Sequence, residues 1–329
     1  MLAIEARGLT KVFRSYERRP GFWGGVRDLI DRRHREVVAV AGIDLAVAEG
    51  EIVGYIGPNG AGKSTTIKML TGILRPTSGV VRVHGCDPHR ERQRFVTMIG
   101  AVFGQRSQLW WDLAVQESFA LLAELYRVPR RVAEQRLAEY ESVLGLREIM
   151  ATPVRKLSLG QRMRADIAAA LLHAPRVLFL DEPTVGLDVV TKAKLRDFLR
   201  ELNRRERTTI ILTTHDLQDI EALCPRVVVI DHGRVIHDGT IEALRTRFGG
   251  GKRLRVTLRA PVAELPAIPG IKAWHRSDDQ LHAVGDVAPD ADVPATLAAC
   301  LAQLPIDDLR LDEPDIEEVV RILYGDRSG

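Results

Sequence analysis

The residues GPNGAGKS, at positions 57–64, constrain the fold of this chain more than any other part of its sequence. They fit the pattern G-x-x-x-x-G-K-[ST], and they lie between a run that predicts a buried strand (residues 51–56) and a helical pattern that begins at Lys63. A loop of this kind wraps phosphate groups when it stands in that order of strand, loop and helix, and a chance glycine-rich turn would not share the order. The loop therefore predicts a site for a nucleoside triphosphate.

The residue types in this loop explain how it would bind phosphate. Glycines let backbone N–H groups close around phosphate oxygens, where a Cβ atom would obstruct the approach. Lys63 is expected to reach the β- and γ-phosphates, and the hydroxyl of Ser64 is expected to hold Mg²⁺. The predicted nucleotide-binding residues here are Gly57, Pro58, Asn59, Gly60, Ala61, Gly62, Lys63, Ser64 and Thr65.

A second stretch, VLFLDEP at residues 177–183, supplies two carboxylates. Its apolar residues predict a buried strand, at whose end Asp181 is suited to bind the water shell of Mg²⁺. If the two strands are neighbours, Glu182 lies near the γ-phosphate and can deprotonate an attacking water, which contributes about 10²–10⁴-fold to a rate. The alternative is a strand that ends in an acidic helix cap. The same tripeptide recurs at residues 312–314 after a run that is not apolar, and there we expect only a structural role.

Strand-like and helical patterns alternate along the first two thirds of the chain. The strand-like runs are residues 51–56, 80–84, 176–180, 208–213 and 226–230, and the helical patterns begin at Lys63, Val115, Arg130, Gln161 and Thr191. This alternation predicts an α/β domain with a largely parallel sheet. Residues 115–145 depart from it, because two helical segments broken at Val128-Pro129 follow each other without a strand. We interpret them as a helical insertion.

A second, smaller domain is predicted after the glycine-rich link at residues 248–251. Its pattern is a strand (253–258), a hairpin (272–284), a helix (293–304), a strand (307–311) and a terminal helix from Asp315. We place the domain boundary at residue 240 and expect residues 241–329 to form an α+β module. It carries no cluster of chemically useful residues.

Composition excludes several classes of protein. The net charge of +3 is too small to predict nucleic-acid binding over the whole surface. Cys86, Cys224 and Cys300 are scattered and odd in number, so we expect reduced thiols rather than a disulfide framework or a zinc site. No export signal is expected, and no apolar run approaches the roughly 20 residues that span a bilayer. A role at a membrane would therefore need another chain to cross it.

The stretch KLSLGQRMRADIAAALLHAP, residues 156–175, predicts a tight polar turn followed directly by a helix. Met163, Ile167 and Leu171 recur at helical spacing, and Arg162 is placed to pair with Asp166 one turn later. A helix that begins behind a small Ser/Gly turn offers free N–H groups and its positive dipole end to an anion. The stretch has no lysine in the right place for that anion, no metal-binding carboxylate and no nucleophile with an adjacent base. These residues alone therefore do not identify the anion or the molecule that carries it.

Taken together and in order, these motifs resemble those of an ABC-type ATPase over about residues 4–240. The matching elements are the P-loop (57–64), Gln105 at the Q-loop position, LSLGQ (157–161) at the signature usually written LSGGQ, Asp181 and Glu182 at the Walker B pair, GLD (186–188) at the D-loop and His215 at the switch histidine. The resemblance implies a P-loop NTPase fold whose helical subdomain, residues 105–160, carries the signature. It also implies ATP and Mg²⁺ as ligands.

The resemblance further assigns roles to residues outside the P-loop. Two ATPase domains of this family pack head to tail, so the signature is expected to hold the γ-phosphate of the partner's ATP through Ser158, Gly160, Gln161 and the helix N-terminus. Leu159 stands where the family usually has glycine. The other residues that the resemblance implies are Asp188 for the nucleotide, Gln105 for Mg²⁺ together with Ser64 and Asp181, and His215 with Glu182 for catalysis.

Two features match the family less well. The residue that stacks on adenine is expected at His34 if positions are counted back from Lys63 without a gap. The alternative is Tyr16. Between them lies a basic insertion, residues 14–36, with a helical pattern of apolar residues on one side and arginines on the other. It is equally suited to dock on a lipid surface or partner and to form a solvated arm on its own domain.

The resemblance favours the ATPase subunit of an ABC-2 type exporter, because a single ATPase domain, no membrane span and an α+β tail occur together. We then expect separate ABC-2 permease subunits, an ATPase homodimer, no nucleic acid, and a peripheral location on the cytoplasmic face of the cell membrane. Two alternatives are the ATPase subunit of an importer and a soluble ABC ATPase that acts on ribosomes or DNA. The second is disfavoured, because ABC ATPases of the DNA-repair type have a long coiled coil between the P-loop and the signature. Here only about 95 residues without sustained heptads separate Lys63 from Ser158.

Overall fold

The computed structural model describes residues 1–16, 34–104, 106–248, 251–313, 316, 319 and 320. Residue contacts divide the chain into two compact units, Met1–Asp238 and Gly239–Gly329. Gln105, most of the predicted insertion at residues 14–36 and most of the predicted terminal helix lie outside the described residues.

The first unit contains most of the regular structure. Its strands are β1 (Leu2–Tyr16), β2 (His34–Ala48), β3 (Ile52–Ile56), β4 (Ser78–Val83), β5 (Ile99–Phe103), β6 (Val177–Asp181), β7 (Thr209–Thr213), β8 (Arg226–Asp231) and β9 (Arg234–Thr240). Its helices are α1 (Lys63–Leu70), α2 (Arg92–Val96), α3 (Val115–Leu125), α4 (Arg130–Leu144), α5 (Leu159–Leu171), α6 (Val189–Glu206) and α7 (Leu217–Leu223), with a 3-10 turn at Val154–Lys156.

A mostly parallel sheet in the order β5-β6-β7-β3-β8-β9 forms the centre of this unit. β3 pairs in parallel with β7 and β8, and β6 pairs in parallel with β5 and β7. Every residue of β3 and β7 is buried, as near-continuous apolar strands are when both faces of a parallel sheet are covered. The predicted α/β class with a largely parallel sheet is therefore confirmed.

A second sheet, in the order β2-β1-β4, is antiparallel. Its register shifts at several points along β1 and β2, which marks bulges that bend these 15-residue strands. Ile4, Leu9 and Val40 from this sheet share one buried apolar cluster with Tyr55 of β3 and Phe179 of β6. The two sheets are thus joined by a common core, and the cluster also includes residues of α1.

The predicted helical insertion is present. α3 and α4 begin at Val115 and Arg130 as predicted, and no strand lies between them. α5 and α6, in contrast, each begin two residues before their predicted starts at Gln161 and Thr191. In both cases a capping side chain, Ser158 or Asp188, accepts a hydrogen bond from the backbone N–H of the third residue after it. The apolar periodicity marks the packed face, which starts after the capped first turn.

The second unit contains α8 (Ile241–Phe248), β10 (Arg253–Leu258), β11 (Ile271–Arg276), β12 (His282–Val287), α9 (Val293–Gln303) and β13 (Ile306–Asp312). The strands form an antiparallel sheet in the order β11-β12-β10-β13, and α9 contributes Cys300 to its apolar core. This arrangement agrees with the predicted strand, hairpin, helix and strand. Asp312 pairs with Arg255 and Glu313 with Arg245, so the second Asp-Glu pair makes surface ion pairs.

Two further expectations concern the whole chain. Cys86, Cys224 and Cys300 are buried and free. Among the residues that the structure describes, no helix combines the length and the apolar character needed to cross a membrane.

Candidate active site

The P-loop joins the carboxyl end of β3 to the first turn of α1. A Cβ atom at Gly57 would lie 2.3 Å from the carbonyl oxygen of Ile230, and one at Gly62 would lie 2.4 Å from that of Ala39. Gly62 also has a φ of 105°, a conformation that few residues other than glycine adopt. These two glycines let the loop pack closely on β8 and β2. Gly60, with open space around it, leaves the loop accessible from the other side.

Lys63 folds into the loop that it follows. Its Nζ donates hydrogen bonds to the carbonyl oxygens of Gly57 at 2.5 Å and Pro58 at 3.1 Å. Burial lowers the pKa of Lys63, and the negative charges of Glu182 and Asp181 oppose that shift. The ammonium therefore lies close to two carboxylates and to two carbonyl oxygens of the loop.

Asp181 and Glu182 stand at the carboxyl end of β6. Asp181 accepts a hydrogen bond from the hydroxyl of Thr213 on β7, and the backbone N–H of Glu182 donates to the Thr213 carbonyl at 2.9 Å. Glu182 has a φ of 57°, a left-handed conformation that is uncommon outside glycine and often marks functional sites. The chain thus turns sharply as soon as the strand ends.

His215 lies next to Glu182. Its Nδ1 is 2.7 Å from Oε2 of Glu182, although the two residues follow different strands. Burial raises the pKa of Glu182, and the neighbouring His215 opposes that shift. The predicted catalytic pair is therefore in direct contact, with the carboxylate partly buried and the imidazole largely exposed.

One cleft of about 590 Å³ contains these groups. Its volume is in the range of small-molecule sites. Its lining includes Pro58, Asn59, Gly60, Gly62, Lys63, Ser64, Thr65, Asp181, Glu182 and His215. The structure thus brings the predicted P-loop and carboxylate residues together, and the loops after β3, β5, β6 and β7 supply most of the lining.

The residues on either side of the Q-loop position line the same cleft. Gln105 itself is outside the described residues, but its neighbours Gly104 and Arg106 line the cleft. The backbone N–H of Gly104 donates to the carbonyl oxygen of Asp181 at 3.0 Å. Gly104, directly after β5, is therefore fixed to the strand end that carries Asp181.

The signature residues lie apart from this cleft, whose described lining includes no residue of 157–161. Ser158 and Gln161 form a reciprocal cap at the start of α5: Ser158 Oγ accepts from the Gln161 N–H at 3.2 Å, and Gln161 Oε1 accepts from the Ser158 N–H at 2.9 Å. Ser158 is exposed, whereas Gly160 is buried against Gly186, whose carbonyl oxygen would be 2.4 Å from an added Cβ. The exposed helix end is available to a second molecule.

The D-loop packs beside the signature. The side chain of Leu159 lies over Gly186, since a Cβ atom added there would be 3.0 Å from Leu159 Cγ. Asp188 caps α6 by accepting hydrogen bonds from the Thr191 N–H at 2.9 Å and the Thr191 hydroxyl at 2.6 Å. The side chain of Leu159 therefore contacts the D-loop of its own chain, while the residue remains 40% exposed.

The predicted pair between Arg162 and Asp166 is wrong. Asp166 instead accepts hydrogen bonds from the hydroxyl of Ser107 and the N–H of Gln108, while the guanidinium of Arg162 lies 5.7 Å from the ring centre of Trp111. The helical spacing allows the pair, but the side chains turn to groups outside the helix.

The candidates for adenine stacking lie at the end of the β1–β2 pair. The backbones of Tyr16 and His34 are opposite each other there. The sequence patterns missed a third aromatic residue, Phe13, which is paired with Val37 and is 41% exposed. Ala39, two residues from Val37, lines the cleft. An aromatic residue in a strand before the P-loop is the signal that could have identified Phe13.

Comparison with known proteins places this geometry in a family. A family model described as "ABC transporter" matches residues 40–185. The daunorubicin resistance ATP-binding protein DrrA3 of Streptomyces coeruleorubidus is 36% identical over 310 residues, which cover 91% of this chain and 95% of that protein. This chain belongs to the ABC transporter family. It is an ATP-binding subunit of such a transporter.

Two other matches bear on its fold and class. The methionine import ATP-binding protein MetN of Halalkalibacterium halodurans is 37% identical over 221 residues, which cover 66% of this chain and 65% of that protein. The dimeric, post-hydrolysis structure of the ATP-binding cassette MJ0796, bound to ADP and Pi, has a TM-score of 0.61 and 25% identity over 72% of this chain and 98% of that chain. The expected ABC ATPase fold is confirmed.

Proposed function

We propose that the chain hydrolyses ATP as the nucleotide-binding subunit of an ABC-2 type exporter and drives separate permease subunits. The observation that carries the ATPase function is the meeting of Lys63, Asp181, Glu182 and His215 in one cleft. The exporter class is supported by the match to the resistance protein, which spans 95% of that protein and both units of this chain. The match to the import protein covers only 65% of that protein, so it gives the importer class less support.

The residues present fit ATP and Mg²⁺. Gly57 and Gly62 keep the loop free of Cβ atoms where its backbone packs most tightly, and the first turn of α1 offers free N–H groups to phosphate oxygens. The Ser64 hydroxyl and the Asp181 carboxylate are the oxygen donors that Mg²⁺ prefers, and we propose Gln105 as a third. Bound there, Mg²⁺ would neutralise charge that develops on the transferred phosphate.

Glu182 is the group we assign as the general base. Burial raises the pKa of Glu182 toward neutral pH, which makes this carboxylate a stronger base than that of an exposed glutamate. His215, 2.7 Å away, orients that carboxylate and is placed to hydrogen-bond the γ-phosphate. Lys63 has the position to bind the β- and γ-phosphates once its bonds to the loop carbonyls are exchanged.

A complete site is proposed to need two chains. The exposed Ser158, the N-terminus of α5 and the neighbouring Gly160, Gln161 and Asp188 lie away from the chain's own cleft. In a head-to-tail homodimer they would meet the nucleotide bound to the partner's P-loop. The dimeric cassette structure supports this arrangement as the assembly of a related protein.

We place the chain on the cytoplasmic face of the membrane, as a peripheral subunit bound to its permease, and expect no nucleic-acid partner. The basic insertion at residues 14–36 is a candidate contact with lipid or permease. For adenine stacking we propose Phe13 beside the sequence candidates Tyr16 and His34, because it is an exposed ring on the strand pair that borders the cleft.

Replacing Glu182 by Gln is expected to abolish steady-state hydrolysis while ATP binding persists. The amide keeps the shape of the side chain but cannot accept the proton, so about 3–5 kcal/mol of transition-state stabilisation is lost. Phosphate release and nucleotide affinity measure the two effects. Glu313→Gln is the matched control, because Glu313 stands in the same tripeptide but outside the cleft, and it should behave like wild type. Near-normal turnover of Glu182→Gln would remove Glu182 from its assigned role.

If Phe13 stacks on adenine, Phe13→Ala should raise the Kd for ATP by about 5- to 150-fold, since base stacking contributes about 1–3 kcal/mol. Affinity for inorganic triphosphate, which has no base, should not change. Tyr16→Ala and His34→Ala serve as comparisons in the same titration. A shift confined to one of these two variants would assign the stacking to that residue instead.

The exporter proposal is tested by what co-purifies with the affinity-tagged full chain from detergent-solubilised cells. We expect a multi-span membrane protein in stoichiometric amount, with ATP-driven movement out of the cytoplasm when both are reconstituted. Movement in the opposite direction would establish the importer class. Recovery with ribosomes or DNA, and without a membrane protein, would contradict any transport function.

A further inference from the structure

A buried carboxylate connects the segment after Gln105 to the signature helix. Asp166, on α5, is 5% exposed. Its Oδ1 accepts hydrogen bonds from the Ser107 hydroxyl at 2.8 Å and the Gln108 N–H at 3.0 Å, and its backbone carbonyl accepts from Nε2 of Gln108 at 2.9 Å. The Ser107 oxygen in turn accepts from the N–H of Leu109 at 3.1 Å. Residues 107–109 are therefore held by one side chain of the helix.

These bonds involve an ionised group at neutral pH. Burial raises the pKa of Asp166 to about 6, and the bonds from Ser107 and Gln108 oppose that shift together with the more distant charge of Arg162. Arg106 and Tyr126 line the same small cavity as Asp166. Hydrogen bonds to a carboxylate are roughly twice as strong as neutral ones, so the contact is a firm one.

The two ends of this connection lie at the two parts of the proposed composite site. At one end, the segment leaves β5 where the Gly104 N–H donates to the Asp181 carbonyl at 3.0 Å. At the other, Asp166 and Ser158 belong to one capped helix, and eight residues at 1.5 Å each separate them by about 12 Å. The backbone also joins this segment to residues just before the signature, since the Arg155 N–H donates to the Trp111 carbonyl at 3.0 Å.

We propose that Asp166 is a positioning residue for hydrolysis: it fastens residues 107–109 to α5, so that a displacement of the segment beside Asp181 moves Ser158 toward or away from the partner's nucleotide. This inference rests on the proposed function, because it takes Ser158 to act at a second chain's P-loop. One side chain, that of Asp166, thus couples movement at the side of the cleft proposed to bind Mg²⁺ to movement of the signature.

If Asp166 served only to stabilise the fold, replacing it would lower the melting temperature and the turnover together. The hydrogen bonds to Asp166 only partly offset the cost of burying its charge, since its pKa is raised despite them, so the ionised side chain opposes folding. An apolar side chain of similar size should therefore leave the melting temperature unchanged or raise it. The same replacement removes the acceptor for Ser107 and Gln108, so stability and turnover should change in opposite senses.

The test compares Asp166→Leu, Asp166→Asn, Ser107→Ala and the double variant Asp166→Leu/Ser107→Ala in the full chain. We expect Asp166→Leu to lower kcat about tenfold with KM for ATP unchanged, because the P-loop is untouched. Asp166→Asn retains an oxygen acceptor and should keep most of the activity. Ser107→Ala should have a smaller effect, and the double variant should be no slower than Asp166→Leu, because Ser107 acts through Asp166.

Arg136→Ala is the matched control, because it removes a 2.6 Å hydrogen bond to the carbonyl of Leu172, next to the other end of α5. It should leave kcat within about twofold of wild type, while thermal unfolding is recorded for every variant. Wild-type kcat in Asp166→Leu, fully additive effects of Asp166→Leu and Ser107→Ala, or a kcat loss explained by a lower melting temperature would overturn the inference. Absence of hydrolysis by the wild-type protein would instead refute the proposed function.

Discussion

The parallel pairing of β6 with β5 on one side and β7 on the other fixes the geometry on which the rest of the site depends. Phe103, Asp181 and Thr213 occupy one register line across the three strands. The chain therefore leaves the sheet at one edge in three places. Backbone hydrogen bonds from Gly104 to Asp181 and from Glu182 to Thr213 hold the ends of all three strands together. Because the backbone carries this arrangement, the carboxylates and the histidine can be changed with little expected loss of fold.

Much of this site could be predicted because its parts are local patterns. The P-loop, the strand that ends in Asp181 and the strand before His215 each carry a sequence signal, and parallel pairing brings them together. The antiparallel strands β1 and β2 gave no such signal, because their bulges interrupt the two-residue alternation. β5 is a run of only five residues that mixes glycine with apolar residues, too short to separate from a loop.

Side-chain partners were harder to predict than elements. Spacing along α5 allows Arg162 to reach Asp166, yet Asp166 is bonded to residues that precede it by more than fifty positions. Leu159 departs from the usual glycine of the signature, and only the structure shows that its side chain contacts Gly186. Such choices depend on tertiary neighbours that a single sequence does not reveal.

Because Ser158 is separated from the cleft, we propose that one chain holds two half-sites. Mixing two defective variants tests this proposal most directly. Lys63→Ala removes the ammonium that we propose to bind phosphate, and Ser158→Arg places a bulky side chain at the helix end that we propose to bind the partner's nucleotide. Each homodimer has two defective sites, whereas a mixed dimer gathers both defects in one site and leaves the other intact. ATP-dependent dimerisation, followed by cross-linking or sizing, should therefore recover in the mixture relative to either variant alone. No recovery, under conditions in which wild-type protein dimerises, would contradict a site shared between two chains.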